Sequence, residues 1–283
     1  FQIFLPFSAN NMIMKRFFSI FFSFIAFFCS FYFSLPINKS HAATTQKPMM
    51  CIVIDDYGSY DQSGVKILAR CTEPLTCAVL PNTDFSEDNS KVMKELGHEI
   101  ILHLPMESHV NLPQDWYGPT YIKNNDTPEN VCLKLENFFK QFPEAKGFNT
   151  HIGSGVSQNQ KLMETIYTFA KEHDLYFLDS RTIETKATEN ACKNTQSIYL
   201  GRDVFLEADK NKSYQGVRSR LFEGVALAKE NGFSIVIGHV GAEGGENTAK
   251  AIIDAIPQIK DMGIDIVPLS KIYEHLKTKN NTK

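Results

Sequence analysis

An α/β fold built on a parallel sheet is what the sequence predicts, and three observations carry that expectation. Short, nearly continuous apolar runs alternate with longer amphipathic stretches through residues 49–270. Such runs suit strands buried on both faces, as in a parallel sheet covered by helices. No linker, repeat or low-complexity tract interrupts the series, so one domain accounts for it. The pattern is equally compatible with an open sheet and with a barrel.

The elements follow in order. "MMCIVI" (49–54) is a first strand, too short and too evenly apolar for a surface helix. "SGVKILAR" (63–70) is helical, and "LTCAVL" (75–80) is the second strand. "SEDNSKVMKELG" (86–97) reads as a helix with a Ser cap, early acids and a Gly stop. "HEIIL" (98–102) is the third strand. A polar loop with Pro and Gly then runs from Pro105 to Asp126, and its length suggests a functional excursion. "TPENVCLKLENFFKQFP" (127–143) is a capped helix with Pro in its first turn, and "KGFN" (146–149) a short strand. "QNQKLMETIYTFAKEHD" (158–174) is a helix, "LYFLD" (175–179) a strand, and "SIYLGRDVFLE" (197–207) a strand with a polar end. "YQGVRSRLFEGVALAKENG" (214–232) is a helix and "FSIVIG" (233–238) a strand. "NTAKAIIDAIPQIKDMG" (247–263) reads as a helix interrupted at Pro257, and "IDIVPLS" (264–270) as the last strand.

The chain has 283 residues, a net charge of −3 and 43% hydrophobic residues. That balance gives no basic surface for nucleic acid, and no Gly-rich phosphate loop follows the first strand. Residues 1–13 do not read as a natural start, and Met12 and Met14 are the plausible initiators. Lys15 and Arg16 precede an apolar stretch at 17–37, and small residues offer a cleavage site after Ala42. Residues 1–42 are thus expected to be a signal peptide with a non-native upstream extension, and 43–283 an exported domain. The length of 17–37 also suits an uncleaved membrane anchor. Cys51, Cys71, Cys77, Cys132 and Cys192 are an odd set without a CxxC, giving neither a disulfide framework nor a zinc knuckle.

Polar residues gather at one kind of place. Asp55 and Asp56 follow "CIVI", His103 follows "EIIL", His151 follows "GFN", Asp179 follows "LYFL" and His239 follows "SIVIG". All are expected just past the carboxyl ends of strands, where both barrels and open α/β sheets place their chemistry. Singly, each is as readily a turn or a hydrogen-bonded structural residue. Together, one carboxylate and two imidazoles make a facial ligand set with open positions, suited to Zn²⁺ or another first-row ion. A second carboxylate and a further histidine then remain as base and acid for amide hydrolysis.

The motifs "IVIDDYG" (52–58), "GHEIILHLPME" (97–107), "GFNTHIGSG" (147–155), "FLDSRT" (177–182), "GRDVFLE" (201–207) and "IGH" (237–239) together resemble the divergent polysaccharide deacetylases, remote relatives of NodB-type carbohydrate esterases. The resemblance covers about residues 49–276. It implies an incomplete, distorted (β/α) barrel with a divalent metal, zinc by preference, at its mouth. It also implies Asp55 as catalytic base, Asp56 and His103 as metal ligands, and His239 as the acid. The second metal histidine of the NodB pattern would fall at 107, where this chain has Glu107, and His151 is the candidate replacement. Asp179 and Arg181 resemble residues that orient a histidine and hold an oxyanion or substrate, with Arg202 and Asp203 a similar pair. Glu107 and Ser154 join the residues expected near substrate. Trp116 and Tyr117 suit either sugar stacking or loop anchoring. Thr150 and Glu207 depart from the family's usual Asn and Asp. The implied activity is removal of an N-acetyl group from an envelope or extracellular polysaccharide, in the periplasm or at the membrane that the anchor would hold. A non-catalytic glycan- or partner-binding module and a related metal-dependent esterase or amidase are the alternatives.

Overall fold

Side chains alternate across a strand, and here that alternation separates two environments. The computed structural model describes residues 47–208 and 212–281; the expected signal segment lies outside them. The strands are β1 (Met49–Tyr57), β2 (Thr76–Val79), β3 (Glu99–Met106), β4 (Gly147–Ile152), β5 (Tyr176–Asp179), β6 (Leu200–Gly201), β7 (Val204–Phe205), β8 (Phe233–His239) and β9 (Asp265–Ile266). They form one sheet of order β6-β5-β4-β3-β2-β1-β8-β7, with β9 against the start of β1, and every pairing between them is parallel. The helices are α1 (Val65–Leu68), α2 (Ser86–Glu95), α3 (Pro128–Gln141), α4 (Gln160–Glu172), α5 (Ala187–Asn194), α6 (Tyr214–Asn231), α7 (Gly245–Asp261) and α8 (Leu269–Asn281).

The sheet is curled into an incomplete barrel, and residues 200–205 explain the curl. They were expected as one strand, yet β6 and β7 lie on opposite edges of the sheet with only Arg202 and Asp203 between them. The Arg202 amide donates to Asp179 O (3.0 Å) on one edge and the Asp203 amide to Ile235 O (2.8 Å) on the other. Two residues can serve both edges only if the edges nearly meet.

Met50, Ile52, Ile54, Leu102, Leu104, Phe148 and Phe177 pack outward beneath the helices, in the larger of two cores. Cys51, Val53, Ile101, Leu178, Ile235 and Ile237 point inward and meet Leu269 and Ile272 of α8, which plugs one end. Each fully buried Ile or Leu contributes about 1.5–3 kcal/mol. The inward positions continue along the same strands as Asp55, His103 and His239, where the lining changes from apolar to polar.

Several expected boundaries differ for local reasons. β1, β3 and β4 run on through their chemical residues, so Asp55, Asp56, His103 and His151 lie within strands rather than past them. Ser86 is the first helical residue, not a cap: its hydroxyl donates to Leu80 O (2.5 Å) and accepts from the Thr83 amide. Thr127 does cap α3, accepting from the Asn130 amide (3.3 Å). Pro257 lies inside an unbroken α7, whose buried Ala249, Ile252, Ala255, Ile256 and Ile259 outweigh the one missing N–H. The last expected strand is only two residues long and gives way to α8, which, like α5, has no expectation in the sequence reading. All five cysteines among the described residues are free. No helix among them is long and apolar enough to cross a membrane.

Candidate metal centre

Two adjacent strand residues normally face opposite sides of a sheet. Asp55 and Asp56 both face the mouth because β1 is irregular at that point. Its register with β2 shifts between Ile54 and Tyr57, and Asp56 adopts φ +67°, a left-handed conformation that few non-glycine residues take. Of the two carboxylates, Asp55 Oδ2 lies 3.9 Å and Asp56 Oδ1 3.4 Å from His103 Nε2. His151 completes a cluster, with Nδ1 3.3 Å from Asp56 Oδ1 and 3.1 Å from His103 Nε2.

The hydrogen bonds behind these atoms determine which nitrogens are free. Asp55 Oδ1 accepts from Asn149 Nδ2 (2.7 Å), which turns the Asn149 carbonyl oxygen toward His103 Nδ1 (2.7 Å). His103 therefore carries its proton on Nδ1 and presents Nε2 inward. His151 Nε2 faces the Trp116 carbonyl (2.9 Å), so its proton is placed there and Nδ1 is presented inward. Asp56 Oδ1 is buried and takes no hydrogen bond. Three electron-pair donors thus face one another at 3.1, 3.3 and 3.4 Å. Ligands about 2.0–2.1 Å from a tetrahedral zinc stand roughly 3.3 Å apart. The residues fit a small divalent cation with an open coordination position, which is a candidate metal centre of the deacetylase type.

Charge points the same way. Burial opposes ionisation of Asp56, but the facing imidazoles of His103 and His151 hold its carboxyl well below the usual range. Burial depresses His103 too, yet the Asp55 and Asp56 carboxylates raise it overall. Without a cation a proton is drawn to that point.

A second arrangement adjoins the first. His239 pairs with Asp55 across the β8–β1 ladder, and its Nε2 lies 3.9 Å from Asp55 Oδ2. Its Nδ1 meets Glu207 Oε2 at 3.1 Å, while Glu207 Oε1 accepts from the His239 amide (2.9 Å) and from Thr248 (2.6 Å). Burial lowers this imidazole, but Glu207, Asp56 and Asp55 raise it to about 9. A cation at the neighbouring cluster would offset part of that rise. Asp55 Oδ2 accepts no hydrogen bond among the described residues and faces both His103 and His239.

The other expected residues divide. Asp179 does not orient a histidine: by alternation it shares the outward side of β5 with Phe177 and accepts from the Arg181 amide (2.8 Å) and Tyr199 hydroxyl (2.9 Å). Glu207 does that work instead. Asp203 accepts from the Ile235 amide (2.8 Å) and pins the closing segment. Arg181 and Arg202 lie on the β5–β6 side of the rim, and the Arg202 guanidinium covers Phe205, whose ring meets His239 edge-on. Glu107 is outside the cluster, accepting from the Asn124 amide (2.6 Å), and Ser154 bonds His109 Nδ1 (2.8 Å). Trp116 is exposed, with its carbonyl on His151, whereas Tyr117 is buried, stacked on Tyr121 and bonded to the Ser108 amide, which is loop anchoring. Asn149 escaped the sequence reading, although it lies two residues before His151 on the same strand face.

The fold and the cluster define a deacetylase-type hydrolase scaffold. The chain belongs to the family described as divergent polysaccharide deacetylase, matched over residues 52–273. It is similar to YibQ, an uncharacterized protein of Escherichia coli, at 30% identity over 194 residues, 67% of this chain and 58% of that one. An uncharacterized protein of Haemophilus influenzae is 28% identical over 224 residues, covering 77% and 72%. The chain thus spans a little over half of its Escherichia coli relative. Among solved structures, an uncharacterized protein of Agrobacterium tumefaciens shares the fold with a TM-score of 0.70 at 19% identity, over 81% of this chain and 91% of that one.

Proposed function

We propose that this protein hydrolyses N-acetyl groups of a polysaccharide outside the cytoplasm, using a divalent metal held by Asp56, His103 and His151. The observation that carries the reading is the convergence of three electron-pair donors whose outer hydrogen bonds leave each free to bind a cation. Zinc suits two imidazoles and one carboxylate at this spacing. When bound, the ion supplies Lewis acidity to an acetyl carbonyl.

The chain's own groups do the proton work. Asp55 Oδ2 takes a proton from water as its oxygen bonds to the acetyl carbon. His239 Nε2, protonated with the help of Glu207, gives a proton to the amine nitrogen as the C–N bond breaks. Free amine and acetate are the products. Trp116, exposed beside His151, offers a face for a sugar ring. Export, by a cleaved signal peptide or an anchor at 17–37, belongs to the same proposal.

The test is acetate release from N-acetylglucosamine oligomers by zinc-loaded protein, compared with His239→Ala. Release that falls about 10²–10⁴-fold in the variant, with metal content unchanged, supports the reading. Release from O-acetyl esters alone would move the protein to the esterase reading. Glycan binding that persists unaltered after metal removal, with no release from any substrate, would make it a binding module.

A further inference from the structure

Beside the proposed acid and base, two arginines hold guanidinium groups that no carboxylate among the described residues contacts directly. Arg181 Nη1 donates to the Arg202 carbonyl (2.8 Å), and Arg202 Nη2 donates to the Arg181 carbonyl (2.9 Å). Arg202 Nε also donates to Ser180 O (2.7 Å), and Arg181 Nε reaches the Tyr199 hydroxyl (3.4 Å). These partners are neutral. The nearby acids are turned elsewhere: Asp179 to the Arg181 amide and Tyr199, Asp203 to the Ile235 amide. The two guanidinium groups repel each other, and Asp179, Asp203, Asp55 and Glu207 offset that repulsion only through space, which leaves N–H donors open to an anion.

The donor count shows where that group would sit. Arg181 Nη2 and Arg202 Nη1 take no protein acceptor among the described residues. Arg181 Nε and Nη1, and Arg202 Nε and Nη2, each give one N–H to fixing the two planes. The backbone is shaped for the pair as well. Arg181 has φ +49°, and its guanidinium lies over Gly201, where an added Cβ would come within 2.9 Å of it and push it aside. Position ties the pair to the chemistry. Arg202 stacks over Phe205 at 5.0 Å, and Phe205 meets the His239 ring at 5.2 Å.

We propose that Arg181 and Arg202 form an anion-binding subsite on the rim beside His239, so that the glycan accepted by the metal centre carries a carboxylate or phosphate group. This rests on the glycan reading of the metal centre and narrows its substrate class from acetylated sugars in general to acidic ones. Guanidinium forks suit both planar carboxylates and phosphate oxygens, so the shared chemistry is an oxyanion on a sugar near the acetamido group.

Calorimetric titration of the full-length, zinc-loaded protein tests it with three probes of equal length. They are a neutral N-acetylglucosamine oligomer, a hyaluronan oligomer carrying carboxylates, and a phosphorylated N-acetylglucosamine oligomer. At least one acidic oligomer is expected to bind about tenfold more tightly than the neutral one. That advantage is expected to shrink at high salt and to vanish in Arg181→Gln, with affinity for the neutral oligomer kept. Whichever acidic probe holds the advantage identifies the anion. Arg181 is exposed, so its variant tests the subsite without the closing role of Arg202; Arg218→Gln, on α6, serves as a charge-matched control. Equal affinity for all three probes, or an advantage that survives in Arg181→Gln, overturns the subsite and leaves the glycan reading intact. Failure of every oligomer to bind overturns the glycan reading, and the subsite with it.

Discussion

His103 and His239 hold their Nε2 atoms at the same distance, 3.9 Å, from the same oxygen, Asp55 Oδ2. They differ in what touches Nδ1. At Nδ1 His103 meets the carbonyl of a neutral amide, Asn149, whose amide nitrogen donates in turn to Asp55 Oδ1. His239 meets the Glu207 carboxylate directly. An amide oxygen fixes the tautomer and leaves the far nitrogen as an electron-pair donor, which is what a metal ligand needs. A carboxylate stabilises the imidazolium, which is what a proton donor needs. One side chain at one rim is thus set to two tasks by its outer neighbour.

Disturbing the Glu207 side should have the larger effect on turnover. Glu207→Gln is expected to lower turnover about 10–100-fold near pH 8 with metal content unchanged. The alkaline limb of wild-type activity should follow loss of the His239 proton, below the value of about 9 that holds without a cation, and should move further down in the variant. The stability sign agrees. A histidine raised in the folded state contributes fully below 6.5 and loses its contribution as pH rises through about 9. Urea unfolding of the metal-free wild type should therefore show declining stability across that window, and Glu207→Gln a flatter profile. A limb that stays in place in the variant would break the comparison from this side.

Asn149 sharpens it from the other side. Asn149→Asp gives His103 a carboxylate neighbour but removes the amide N–H that Asp55 Oδ1 accepts, and the two facing carboxylates then hold a proton and disturb the ligand set. Metal affinity should fall about 10–100-fold near neutral pH and recover partly as pH rises. Competition with a chelating dye would measure this without any substrate. Asn149→Leu should weaken affinity without the added pH dependence, because it removes the tautomer lock and adds no charge.

The sequence made one part of this legible and hid the other. Asp55, Asp56, His103, His151 and His239 each follow or end a nearly continuous apolar run, and that pattern marks the polar end of a buried strand. What could not be read were links made by folding. Asn149 is a neutral residue within a strand, betrayed only by its i, i+2 relation to His151. Glu207 meets His239 from 32 residues away, and it follows two short strands that read as one. Asp179 looked equivalent to Asp55, yet strand alternation turns it outward. The irregularity at Asp56 that brings two adjacent carboxylates to one side is a local backbone event with no glycine to announce it.

The central claim is that Asp56, His103 and His151 bind a metal, and metal content of the purified chain tests it most directly. After zinc loading and desalting, the wild type should hold about one ion per chain, and Asp56→Ala should hold almost none while remaining folded. Absence of retained metal in the wild type, or full retention in Asp56→Ala, would contradict the account.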